Sequence, residues 1–184
     1  QNSALIYYYH DSKAALYRHV LERVIGTIAD GARRRIAPGS DPERVVRGVV
    51  ESQVAVLAGN PHLPVLLARE LIDWKAAHAE PAIRHLSATL FQELTKAIAD
   101  GQATGEFRPD IDPTFAAIST IAQVGYLVLA SPIAGILLGR GLDGPTDGDI
   151  QAFGQHAADF ALAALRRPAV PATRASNRLE ETTT

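Results

Sequence analysis

The chain has 184 residues, 47% of them hydrophobic, a formal net charge of −2 and neither Cys nor Met. A chain of this length can bury most of its apolar surface in one domain, and the lack of Cys excludes disulfide frameworks, thiolate metal sites and cysteine nucleophiles together. The near-neutral balance gives no overall basic field, so a nucleic-acid partner would have to meet a local patch. Residues 1–40 carry six Lys and Arg against three Asp and Glu, and the remainder twelve against seventeen.

The chain opens Gln1-Asn2-Ser3 without a charged-then-apolar leader, and reads as a cut rather than a natural start. The first expected element is a helix of one or two turns ahead of Asp11, containing three consecutive tyrosines, Tyr7, Tyr8 and Tyr9. With Asn, Ser and Tyr on an outer face such a helix has the side chains that reach bases and phosphates in a major groove. The plainer alternative is a capping helix whose aromatics pack on the bundle. From Lys13 to Ile36, Leu16, Tyr17, Val20, Leu21, Val24, Ile25, Ile28 and Ala32 recur at three- and four-residue steps and predict a long amphipathic helix. Ser12 is its expected N-cap and Pro38-Gly39 its stop. Lys13 in the first turn opposes the helix dipole, a small cost that a phosphate over that N-terminus would offset.

Ser40-Asp41-Pro42 starts the next helix, with an acceptor at the N-cap and proline at the first helical position. Val46, Val49, Val50, Gln53, Val54 and Leu57 share one face before Gly59-Asn60-Pro61 ends it. A short helix is expected from Leu63 to about Trp74. Glu80-Pro81 opens another, with Ile83, Leu86, Leu90, Leu94, Ala97 and Ile98 on its face, Phe91 on the flank and Gly101 as a left-handed cap. Asp112-Pro113 begins the next.

Residues 113–139 carry no charge. Length alone admits a membrane span, but Pro113 and Pro132, the polar Ser119, Thr120, Gln123 and Ser131, and the lack of a close basic flank read against one. The segment is instead expected to be covered on every side, in part by its own core and in part by a partner chain. Gly139 to Gly148 reads as a loop. The last helix, about Asp147 to Arg166, has a thin side of Gly154, Ala157, Ala158, Ala161 and Ala164 that lets another helix approach closely. From Pro168 the composition loses periodicity and a disordered tail, 168–184, is expected. No segment alternates with period two, so the fold class is all-α.

No catalytic or phosphate-cradling motif is present, and His156 with Asp159 cannot complete a metal site. The expectation is a protein that is not an enzyme, with no catalytic residues, no metal and no cofactor. His62, His78 and His85, with Arg69, Glu70 and Asp73, lie on or beside the two middle helices. They read either as solvated faces and ion pairs or as the polar end of an apolar pocket walled by Trp74, Phe91, Phe115 and Tyr126.

The N-terminal run resembles the end of the helix-turn-helix of TetR/AcrR-type transcriptional regulators. Ile6, Tyr7, Tyr9, Ser12, Lys13 and Leu16 match that pattern in register; His10 stands where the family prefers Phe, and Ala14 where it often has Glu. A looser similarity is the linker Gly101-x-x-x-Gly105-Glu106-Phe107-Arg108-x-Asp110-x-Asp112-Pro113. The resemblance implies that residues 1–16 end a DNA-binding domain whose first two helices would precede Gln1. Residues 17–167 would then form a helical ligand-binding and dimerisation domain. It further implies a cytoplasmic, ligand-responsive repressor, a homodimer on palindromic operator DNA released by a small-molecule effector, with no membrane partner. By family position Tyr7, Tyr8 and Lys13 would meet phosphates, and Asn2, Ser3 and Leu5 the bases. The last two long helices would pair across the dimer through Val124, Leu127, Phe153, Ala157, Ala161 and Ala164, so that Glu at Ala157 or Ala161 is expected to yield monomers. The rival reading is a helical small-molecule-binding or adaptor module with no DNA role.

Overall fold

A computed structural model describes residues 12–37, 39–60 and 62–168. Among these, eight α-helices follow in order: α1 (Lys13–Arg35), α2 (Pro42–Ala58), α3 (Leu63–Trp74), α4 (Glu80–Leu86), α5 (Gln92–Thr104), α6 (Pro113–Leu129), α7 (Ser131–Leu137) and α8 (Asp147–Leu165). A π-helical turn, Ser87–Phe91, joins α4 to α5, and a 3-10 turn, Gly141–Asp143, precedes α8. The described residues hold no strand, in keeping with the all-α class. Their one isolated bridge pairs Phe107 with Arg166.

Local chemistry sets the helix starts. Ser12 Oγ accepts from Ala15 N–H at 3.1 Å, Asp41 Oδ1 from Arg44 N–H at 2.8 Å and Asp112 Oδ1 from Phe115 N–H at 2.9 Å. Each satisfies a donor the helix leaves orphaned. α8 opens with a reciprocal capping box between Thr146 and Asp149. α1 ends on Arg33, Arg34 and Arg35, placed where positive charge meets the carbonyl end of the dipole.

Two boundaries differ from expectation. α5 runs past Gly101 to Thr104, and the left-handed cap is Gly105 at φ 82°. Gly101 is glycine for another reason: a Cβ there would lie 2.4 Å from the ring of Phe107, which folds back fully buried. α6 stops at Leu129, and the chain bends by 87° into α7, a helix the uncharged run did not reveal. No single helix among the described residues is long and apolar enough to cross a membrane.

α2 is the central element, packing on α1, α5, α6 and α8. One side meets Ile36, Leu94, Ile98, Phe107 and Leu162; further along, Val50, Val54 and Leu57 meet Val124, Leu127, Ala157 and Ala158. The thin side of α8 receives α2 of the same chain, so closely that a Cβ on Gly154 would sit 2.4 Å from Val54 Cγ2. The end of α8 is tied back twice: Arg108 N–H donates to Leu165 O at 2.8 Å, and Arg166 pairs with Glu43 in the first turn of α2. Hydrogen bonding from Arg166 holds the Glu43 carboxyl below its ordinary range.

Candidate functional site

A cavity of about 280 Å³ lies between α1, α2, the α4–α5 junction and α6. Ile28 comes from α1, Val49 and Gln53 from α2, Ile83 and Leu86 from α4, Ser87, Leu90 and Phe91 from the π turn, and Ile121 from α6. A π turn inserts an extra residue into the helix and widens it locally, and here three of its five residues form the wall. No lining residue is ionisable. Two lining residues are polar, Ser87 and Gln53, and Gln53 Nε2 donates to Ile121 O at 3.0 Å. Its Oε1 is buried without a hydrogen-bond partner.

Of the pocket residues expected from the sequence, Phe91 alone lines this cavity. His62 and Arg69 are exposed. Phe115 and Tyr126 are 70% and 58% exposed, because their positions on α6 lie opposite its buried stripe of Ala117, Thr120, Val124 and Leu127. Trp74 is 53% exposed, with its ring edge against His78 at 4.8 Å.

Glu70, 1% exposed, is a structural carboxylate and not a pocket group. Its Oε1 accepts the backbone N–H groups of His78 at 2.7 Å and Ala79 at 3.0 Å. This anchors the return from α3 into α4, where Lys75 and Ala76 adopt left-handed φ values of 49° and 64°. Tyr17 of α1 closes the same cluster: its hydroxyl donates to Leu66 O at 3.0 Å, and its ring meets His78 at 5.6 Å. Burial first, then the Glu70 charge, pushes the Tyr17 phenol up. Glu70→Leu leaves two buried amides unpaired and is expected to lower stability by about 2–4 kcal/mol, read by urea unfolding; an unchanged midpoint would remove this anchoring role.

The residues expected at the dimer interface separate into two groups. Val124, Leu127, Ala157 and Ala161 are buried inside one chain, between α6, α8 and α2, and offer no surface to a partner. Their helical periodicity is that of an ordinary core stripe. Phe153 is half-buried and Ala164 exposed. The uncovered apolar face consists of other residues of the same helices: Phe115, Ile118, Tyr126 and Leu129 on α6 and Phe160 on α8, 59% exposed. Because α6 and α8 pack on each other and both on α2, their faces turned away from α2 adjoin. Asn2, Ser3, Leu5, Tyr7 and Tyr8 lie outside the described residues, as does the tail from residue 169, and of Lys13 only the backbone is described.

Among the described residues, an all-helical bundle with a small uncharged cavity and an apolar face left open on two helices defines a helical-bundle domain. The chain belongs to the tetracyclin repressor-like family: the family described as "Tetracyclin repressor-like, C-terminal domain" matches residues 42–153. It is 31% identical over 132 residues to the HTH-type transcriptional repressor NicS of Pseudomonas putida. That match takes in 71% of this chain, which spans 58% of the relative's length.

Proposed function

We propose that the chain is the effector-binding and dimerising portion of a cytoplasmic transcriptional repressor that binds a palindromic operator as a homodimer and is released by a small molecule. The observation that carries this reading is the placement of α1. It follows directly, in sequence, the segment that resembles a helix-turn-helix, and it also supplies Ile28 to the cavity. Lys13 and Ile28 lie on one uninterrupted helix, about 22 Å apart at the ordinary helical rise. A ligand that favours one position of Ile28 therefore favours one position of the first turn of α1. Two recognition elements must sit about 34–36 Å apart to read successive major grooves, and a ligand with differential affinity for the two arrangements biases which is populated.

In this reading residues 1–16 belong to the DNA-binding end, 17–167 to the sensing body, and α1 bridges them. The open face of α6 and α8 takes the second subunit. The family membership and the likeness to a named repressor support a regulator over a carrier with no DNA role. The test is Lys13→Ala in a protein carrying the complete DNA-binding domain. Operator affinity is expected to fall, and the slope of log K against log salt to flatten by about one. Unchanged affinity and slope would sink the assignment of α1 to a phosphate contact.

A further inference from the structure

A second concave site lies on the other side of α2. Val49 and Gln53 border the cavity; two residues on, about 200° around the helix, Glu51 and Ala55 face a groove of about 340 Å³ between α2, the end of α1 and α8. Its floor is where α2 and α8 touch. A Cβ on Gly154 would lie 2.4 Å from Val54 Cγ2, and Ala55 and Ala158 line the same groove with small apolar surfaces.

The walls are polar and carry both signs of charge: Arg35 comes from the last turn of α1, Arg47 and Glu51 from α2, and Gln151 and Gln155 from α8. Both guanidinium groups are already held. Arg35 Nη1 donates to Gly31 O at 3.1 Å, and Arg47 Nη2 pairs with Asp159 at 2.8 Å. Each of these bonds uses only part of the fork of N–H donors, which leaves the rest to receive a carboxylate, and side chains already oriented lose little freedom on binding. Glu51 differs from its neighbours. Among the described residues it pairs with neither arginine nor with any other group.

An anion alone would satisfy the arginines and bring a like charge to Glu51; a cation alone would do the reverse. A molecule carrying both charges close together satisfies all three. The geometry points to a site for a small zwitterion of the α-amino-acid class, with its carboxylate on Arg35 and Arg47, its ammonium on Glu51 and a short hydrocarbon side chain over Val54 and Ala158. At about 30 Å³ per water-sized group, the volume suits roughly ten non-hydrogen atoms. This site is separate from the cavity and does not depend on the effector reading.

Titrations of the isotope-labelled chain followed by NMR compare leucine with isocaproate, which lacks its ammonium, and with isoamylamine, which lacks its carboxylate. Leucine is expected to bind about fivefold more tightly than either, the effect of one exposed charge pair, with amide shifts centred on residues 47–55 and 151–158. Glu51→Gln is expected to bring leucine and isocaproate to equal affinity, and Arg35→Gln to remove most of the advantage of leucine over isoamylamine. Both side chains are exposed, so neither change opens the core. Ile83→Trp, at the rim of the other cavity, is expected to leave leucine binding unchanged. Isocaproate binding as tightly as leucine to the unaltered chain would overturn the role of Glu51 and with it the zwitterion. Isoamylamine binding as tightly would overturn the role of the arginines. Leucine shifts centred on Ile28, Leu90 and Ile121 would move the ligand to the cavity and overturn this site, as would the absence of leucine binding.

Discussion

Ala157→Glu is expected to unfold the chain and not to separate two subunits. Ala157 is fully buried on the side of α8 that faces α2, in a cluster with Val50, Val54, Val124 and Leu127. Glutamate would place a long, ionised side chain among methyl groups with no basic partner beside it. An unpaired buried charge costs about 3–5 kcal/mol, and the displaced neighbours add an overpacking cost of about 1–3 kcal/mol. Set against the roughly 5–15 kcal/mol that holds a domain together, the loss is most or all of the total. Circular dichroism across a urea series measures it. A variant with wild-type stability would show that Ala157 is not in the core of one protomer, and would restore it as a candidate contact between subunits.

The second large effect belongs to an exposed flank of the same helix, one turn on. Phe160→Glu is expected to convert a dimer to monomers while leaving the protomer's unfolding midpoint nearly unchanged. Phe160 is 59% exposed and its ring sits 6.0 Å from that of His156, so its removal opens no interior space. Aromatic anchors near the centre of an interface cost at least about 2 kcal/mol when truncated, which weakens association by about thirtyfold. A like pair of new charges brought together by two-fold symmetry adds repulsion. Sedimentation across a concentration series reads the change. A dimer that persists with wild-type affinity would move the interface away from the α6–α8 face.

The contrast between these two positions shows what was legible in the sequence. The thin side of α8 announced a close neighbour correctly, because Gly154, Ala157, Ala158 and Ala161 share one face. Which helix came close was not in that pattern: it depends on Val54, a hundred residues earlier in the chain. The helix starts were readable because capping is local, as Ser12, Asp41 and Asp112 demonstrate. Gly101 and Gly105 were not separable from sequence, since both are glycine. Their roles divide only when Phe107 folds back over the first and leaves the left-handed turn to the second.

The cavity was less legible than the fold. Trp74, Phe115 and Tyr126 have the right chemistry for a pocket wall, but aromatic identity carries no information about which way a helix is rotated. The π turn at Ser87–Phe91 has no pattern of its own, and it shifts the helical phase between Ile83 and the residues that follow. Ile83, expected on the core face, accordingly lies at the cavity rim, 43% exposed. Phe91 was the one expected wall residue that lines it, while Gln53, an amide placed among valines on one face of α2, was not read as part of a pocket.

α6 separates the cavity from the open apolar face. Ile121 borders the cavity, while Ile118 and Tyr126 belong to the open face. An α-helix with its side chains is only about 10–12 Å across. In the proposed dimer each effector would therefore lodge one helix diameter from the sister subunit, with two α6 helices, one from each subunit, between the two cavities. Titration of such a dimer would then be expected to depart from independent, identical sites, with the first molecule bound altering the terms offered to the second.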